Sequence, residues 1–241
     1  MKGKNAMKNK ISGKIVALLL TLIIVATSGM PIYAKETGDK ANSFRYENGQ
    51  PIAKAVPFST LSPNAWKKID GKYYSGDGSV IEGAVAKGID VSHHQGTVDW
   101  KKAKEDGVEF AIIRCGFGMN QTKQDDAQWF NNVKGCEENN IPYGVYLYSY
   151  ADTVKKAQSE AEHVLRLIKG HTLAYPVYYD IEEKAVLNKL TAEQLGKIAA
   201  TFVNKVKAEG YQTGIYSNKS NFETFLTDSQ FSQWNKWVAQ Y

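Results

Sequence analysis

The stretch Tyr175-Pro176-Val177-Tyr178-Tyr179-Asp180-Ile181-Glu182-Glu183 decides the reading of this chain. Its aromatic and β-branched residues favour a pleated strand. Side chains on a strand alternate between two faces, so Val177, Tyr179 and Ile181 share one face and Tyr178, Asp180 and Glu182 share the other. An oily face backed by helices and an acidic face turned inward suit a β/α barrel, whose chemistry sits at the C-terminal rim of its strands. Carboxylates one pleat apart stand ~6.5–7 Å apart at their Cα atoms, close enough to flank one scissile bond. At that range like charges push their pKa values apart, so one acid can stay protonated near neutrality. A bare Asp-x-Glu also occurs where acids merely solvate a turn, so the surrounding chain must decide.

Working outward, the rhythm from about Ala86 onward is strand then helix, repeated, which predicts parallel strands with crossover helices. The expected strands are Gly88 to Ser92, Phe110 to Cys115, Tyr143 to Tyr150, Val177 to Glu182, Gln212 to Ser217 and Lys236 to Tyr241. Between them, Trp129, Val133 and Cys136 fall on one helical face, as do Ala157, Ala161, Val164, Leu165 and Ile168. The longest helical pattern runs from Thr191 to Glu209 through Leu195, Ile198, Phe202 and Val206. Thr191-Ala192-Glu193-Gln194 opens it as a capping box, and Gly210 stops it. Two-fold alternation applied to every strand collects Asp90, Arg114, Tyr146, Tyr148, Asp180, Glu182 and Tyr216 on the inner face. A purely structural barrel fills that space with branched aliphatics. Aromatics beside carboxylates suit a sugar, whose C–H faces stack on rings while its hydroxyls take hydrogen bonds. Alternation also predicts an ion pair between Arg114 and Asp90.

The 241 residues, 43% hydrophobic, suffice for one sizeable domain with extensions. Residues 1–34 read as a secretory signal: Lys2, Lys4, Lys8, Lys10 and Lys14 precede a largely apolar run, Ile15 to Ala26, with a cut after Ala34. That run is shorter than the roughly 20 residues of a spanning helix, an uncleaved anchor being the alternative. The whole chain has 30 Lys+Arg and 25 Asp+Glu. Five of the lysines and none of the acids lie in residues 1–34, so the remainder carries 25 of each sign and has no basic field for nucleic acid. Residues 35–64 read as a polar linker. Asp70-Gly71 marks a hairpin within residues 65–85, which faintly resembles one aromatic-Gly unit of wall-binding repeats. Cys115 and Cys136 fit no zinc or redox spacing; a disulfide and two buried thiols are both open.

Gly88-Ile89-Asp90-Val91-Ser92-His93-His94-Gln95-Gly96, followed by Val98-Asp99-Trp100, resembles the opening of glycoside hydrolase family 25, the Chalaropsis-type muramidases. The resemblance continues through Ala111-Ile112-Ile113-Arg114-Cys115-Gly116, Pro142 to Ser149, Tyr178-Tyr179-Asp180-Ile181-Glu182 and Gly214-Ile215-Tyr216-Ser217, and covers residues 86–241. It implies an α/β fold, an irregular TIM-like β/α barrel that cleaves β-1,4 bonds after N-acetylmuramic acid in peptidoglycan. It further implies Glu182 as general acid and then base, Asp180 beside it orienting the acetamido group or stabilising the transition state, and Asp90 completing the acidic cleft. Tyr148, Tyr216 and Arg114 are the expected substrate contacts. Arg114-Cys115-Gly116-Phe117-Gly118 departs from a Lys-x-Thr-Glu-Gly block of some members, so no glutamate acts there. The family pattern has two strands beyond Trp237-Val238-Ala239-Gln240-Tyr241, which makes a barrel cut short before its last two strands the expectation.

His93-His94 lacks a third ligand at metal spacing, and adjacent residues at a strand end point opposite ways, so no metal is expected. No phosphate-cradling loop or nucleophilic triad stands out, and no cofactor is expected. The signal reading makes the chain secreted or wall-associated, with membrane contact only through a transient signal, and the resemblance implies peptidoglycan as its partner; a monomer is expected. A non-catalytic wall-binding module and a chitinase-like barrel glycosidase are the competing readings.

Overall fold

A computed structural model describes residues 66–239, together with the backbone of three two-residue strands before them. Those are β1 (Asn42–Ser43), β2 (Tyr46–Glu47) and β3 (Gln50–Pro51), paired antiparallel in that order within the stretch read as a linker. The expected signal segment lies outside the described residues.

The first ordered feature is a hairpin of β4 (Lys67–Ile69) and β5 (Lys72–Tyr74). Its turn is Asp70-Gly71, both at positive φ (49° and 78°), the backbone a two-residue hairpin needs and glycine adopts at no steric cost. The hairpin is fastened from below: the Tyr73 hydroxyl and Lys68 Nζ each donate to Glu109 at 2.6 Å.

Six parallel strands then form one curled sheet: β6 (Gly88–Val91), β7 (Phe110–Phe117), β8 (Tyr143–Tyr148), β9 (Val177–Asp180), β10 (Thr213–Asn218) and β11 (Asn235–Ala239). They lie in sequence order from β6 to β11, each beside the next, so among the described residues β6 and β11 are the sheet's two edges. The crossovers carry α1 (Trp100–Glu105), α2 (Trp129–Glu138), α3 (Val154–Ile168), α4 (Lys184–Leu187), α5 (Ala192–Ala208) and α6 (Lys219–Thr224). Thr191 and Gln194 cap α5 reciprocally, and Gly210 follows at φ 88°.

The core lies between sheet and helices. Ile113, Cys115, Val145, Leu147, Val177, Tyr179 and Ile215 all point outward into it, meeting Trp129, Val133, Ala161, Val164 and Phe202 from the helices. On α3 the buried face includes Leu167, while Leu165 is only half-buried. The Tyr179 ring stacks flat on Phe202, centroids 3.9 Å apart. Cys115 and Cys136 are buried free thiols; burial raises the pKa of both, Cys136 to about 12. Among the described residues no helix is long and apolar enough to cross a membrane.

Candidate active site

With the apolar residues of each strand turned outward, their alternates face the concave side. Register then sorts these into rows. Phe117, Tyr148, Asp180, Tyr216 and Trp237 are successive cross-strand neighbours from β7 to β11. One step nearer the strand starts, Arg114, Tyr146, Tyr178 and Gly214 form the next row. Asp90, on the edge strand, pairs with Ile112.

The upper row carries a carboxylate cluster at its middle, around Asp180. Asp180 is only 2% exposed, whereas Glu182, two residues on, is half-buried. The ladder continues past Asp180, with Ile181 N–H donating to Tyr216 O at 3.0 Å and Ser217 Oγ to Ile181 O at 2.7 Å. Thus β9's extension is held on β10 although the regular strand stops at Asp180. The Tyr148 phenol sits among these acids. Its pKa is pushed up by burial first, then by the charges of Glu182, Asp180 and Glu183. Its hydroxyl donates to Glu183 Oε2 at 3.3 Å, and Glu183 also caps α4 through Ala185 N–H. Glu183 is thereby a third acid of the cluster, 3% exposed, which the strand pattern alone reads as a trailing residue.

Tyr146 links the two ends of the hollow. Burial raises its phenol pKa; Arg114 opposes that, while Asp90, Asp180 and Asp126 add to it. Asp90 remains open to solvent, but protein crowds it from most sides and this desolvation raises its carboxyl pKa. An open cavity of about 330 Å³ borders Asp90, Ile112, Tyr178, Lys236 and Trp237.

Arg114 does not pair with Asp90. It pairs instead with Asp126, Nε to Oδ2 at 2.8 Å, and Arg114 itself is only 3% exposed. The cause is local. A register shift between Arg114 and Gly116 bends β7, and the following loop folds back so that Asp126 N–H donates to Cys115 O at 2.9 Å. Period-two alternation carries no information about such a return. Burial alone would raise the Asp126 pKa, but bonds from His93 and the Arg114 charge bring it down to about 2. The His93 backbone N–H donates to Asp126 Oδ2 at 3.0 Å, and Arg114 Nη2 contacts His93 Nδ1. His93 and His94 do not diverge as expected at a strand end. They open a 3-10 turn capped by Ser92 and Gln95, and their rings lie 4.0 Å apart.

Trp237 also belongs to the hollow, although it was not among the residues marked for the inner face. Three tyrosines surround its ring, with centroids at 4.4 Å (Tyr216), 5.4 Å (Tyr178) and 5.7 Å (Tyr146). Its signal was available: applying the same period to the last strand puts Trp237 level with Tyr216. Gly214 permits this packing, because a Cβ there would stand 2.6 Å from the Tyr178 ring. Acids at one rim and a half-buried aromatic floor form a groove that can hold a pyranose ring and protonate an oxygen beside it.

The family model for glycosyl hydrolases family 25 matches residues 89–241. The autolytic lysozyme of Clostridium acetobutylicum is 28% identical over 155 residues, 64% of this chain and 45% of that protein. Among solved structures, the modular autolysin LytC of Streptococcus pneumoniae superposes with a TM-score of 0.63 at 33% identity, covering 73% of this chain and 43% of that one. LytC has also been solved in complex with a synthetic peptidoglycan ligand. A bacterial lysozyme from Streptomyces coelicolor shares the fold, with a TM-score of 0.57 at 23% identity over 66% of this chain and 76% of its own. The chain spans less than half the length of the Clostridium and Streptococcus relatives. Since the family pattern runs through every strand that lines the hollow, the chain belongs to glycosyl hydrolases family 25.

Proposed function

We propose that this protein is a peptidoglycan hydrolase of the muramidase type, working on the concave face of an irregular, TIM-like β/α barrel. The observation that carries the reading is the row Tyr148, Asp180, Tyr216 and Trp237, an acid flanked by rings on adjacent strands, with half-buried Glu182 one pleat beyond it. Glu182, the more accessible of the two acids, protonates the leaving oxygen and later takes a proton from water. Asp180, set back among tyrosines, stays beside the reacting sugar and steadies its acetamido group or the positive charge on its ring carbon. Asp90 closes the acidic cleft from the opposite edge strand. Tyr148 and Tyr216 offer ring faces to the sugar, and Arg114, tied to Asp126, contributes from behind them. Retention assisted by the substrate's own acetamido group accords with the family and with Asp180 standing so close to Glu182. No metal or cofactor enters this scheme. The basic and apolar N-terminal run supports export; on this reading the protein acts on peptidoglycan outside the cell or at the wall, as a monomer.

Reducing-end release from purified peptidoglycan by the full chain tests this. Glu182→Gln is expected to lower kcat by about 10²–10⁴-fold with the fold intact, the usual range for a lost general acid. Undiminished release by that variant would reject the assignment of Glu182.

A further inference from the structure

Behind the sheet, on the side away from the groove, lies a buried carboxylate that the scheme above leaves unused. Glu160 projects from α3 and is fully buried. Its Oε2 accepts from the Tyr179 hydroxyl at 2.5 Å and from Ser149 Oγ at 2.8 Å. Its Oε1 accepts from the Tyr150 backbone N–H at 2.9 Å. Ser149 Oγ lies 2.9 Å from the Tyr179 hydroxyl and accepts from Ala151 N–H at 3.2 Å. One side chain therefore gathers three donors from the C-terminal ends of two different strands.

Those ends are the ones that matter for the groove. Ser149 and Tyr150 directly follow Tyr148 on β8, and Tyr179 directly precedes Asp180 on β9. The two strands are already joined at this level by the Ser149 N–H to Asp180 O bond of 2.9 Å. Side chains alternate, so a tie on the outer face at Ser149 and Tyr179 fixes the inner-face neighbours Tyr148 and Asp180. Removing a carboxylate from water is costly, and such a group persists where its bonds are complete. An apolar residue could pack α3 against the sheet without that cost.

Resting on the hydrolase reading, we propose that Glu160 is a positioning residue: from behind the sheet it clamps the ends of β8 and β9 and so sets Tyr148 and Tyr150 against Asp180 and Glu182. Its effect is on the alignment of acid and ring, not on the area of contact with the glycan. Loss of the clamp then shows in turnover more than in binding, since small displacements of a reacting group cost far more rate than affinity.

The experiment compares the full chain with its Glu160→Gln and Ser149→Ala variants, using soluble peptidoglycan fragments well below the melting temperature. Expected is a fall in kcat of about tenfold or more for Glu160→Gln, with KM within about threefold of the parent, and a smaller fall for Ser149→Ala. Native-state amide exchange should quicken at residues 149–151 and 180–181 while residues 143–146 hold their protection. A Glu160→Gln variant that melts earlier but keeps both kcat and local exchange has a merely structural glutamate, which overturns the proposal. If Glu160→Gln does not fold, Ser149→Ala decides by the same criteria. If the parent releases no reducing ends, the hydrolase reading fails; local exchange then decides the clamp alone, and unchanged exchange at 149–151 overturns it.

Discussion

Replacing Asp126 by Asn removes one charge from a buried cluster while keeping the shape of the side chain. In the folded protein the Asp126 carboxyl is held at about 2 against an ordinary 3.8, with burial opposing and His93 and Arg114 outweighing it. That lowering corresponds to roughly 2–3 kcal/mol of preference for the ionised form in the folded state. No large discount for solvent screening applies, because the Asp126 side chain is fully buried and Arg114 is 3% exposed. The sign follows from the lowered pKa: the contribution is complete above pH 3.8 and disappears as pH falls through 2. Urea denaturation of parent and Asp126→Asn across the acid range provides the assay, with stability taken from the midpoint and slope. At pH 7 the variant should be less stable by roughly 2–3 kcal/mol, and the gap should narrow steadily below pH 4. A gap that is absent at pH 7, or that stays constant from pH 7 to pH 2, would refute the ionised pairing of Asp126 with its neighbours.

Glu160 should give the opposite slope. Burial raises its pKa from 4.5 to about 7, against hydrogen bonds from Tyr179, Tyr150 and Ser149 and the nearby charge of Lys156. The folded state therefore holds this proton more tightly, so stability falls by roughly 3 kcal/mol as pH rises from 4.5 through 7. Glu160→Gln should flatten that part of the profile in the same denaturation series. Phe202→Ala removes the ring stacked on Tyr179 in the fully buried core and should cost about 3–5 kcal/mol, read from the same midpoints. Gly214→Ala drives a methyl group into the Tyr178 ring, at a cost of about 1–3 kcal/mol, and should alter the near-ultraviolet dichroism of the tyrosine–Trp237 cluster; an unchanged spectrum would refute the close approach.

All six strands were legible from hydrophobic period and punctuation, with boundaries moved by a few residues. The acidic strand is the clearest case: Val177 and Tyr179 are fully buried beneath helices, while Asp180 sits level with Tyr148 and Tyr216. The capping box of α5 and the Asp70-Gly71 turn were equally plain, because each is a contact between residues two or three apart. Asp90, Arg114, Tyr146 and the Asp180–Glu182 pair were marked for the inner face for the same reason.

Partnerships between distant residues were not legible. Arg114 was assigned to Asp90 because alternation put both inside, yet a register shift and a returning loop deliver Asp126 instead. His93 and His94 lie together because the chain leaves β6 in a 3-10 turn rather than an extended strand. Glu160 reads in sequence as an ordinary acid on a helix, and only the docking of α3 behind β8 and β9 buries it against Ser149 and Tyr179. The linear order of residues determined which side chains face the hollow, since a strand's period is set by its own backbone. Which of them meet, and which carboxylates stay charged there, depended on strand shear, loop return and helix docking, which arise between segments far apart in the chain.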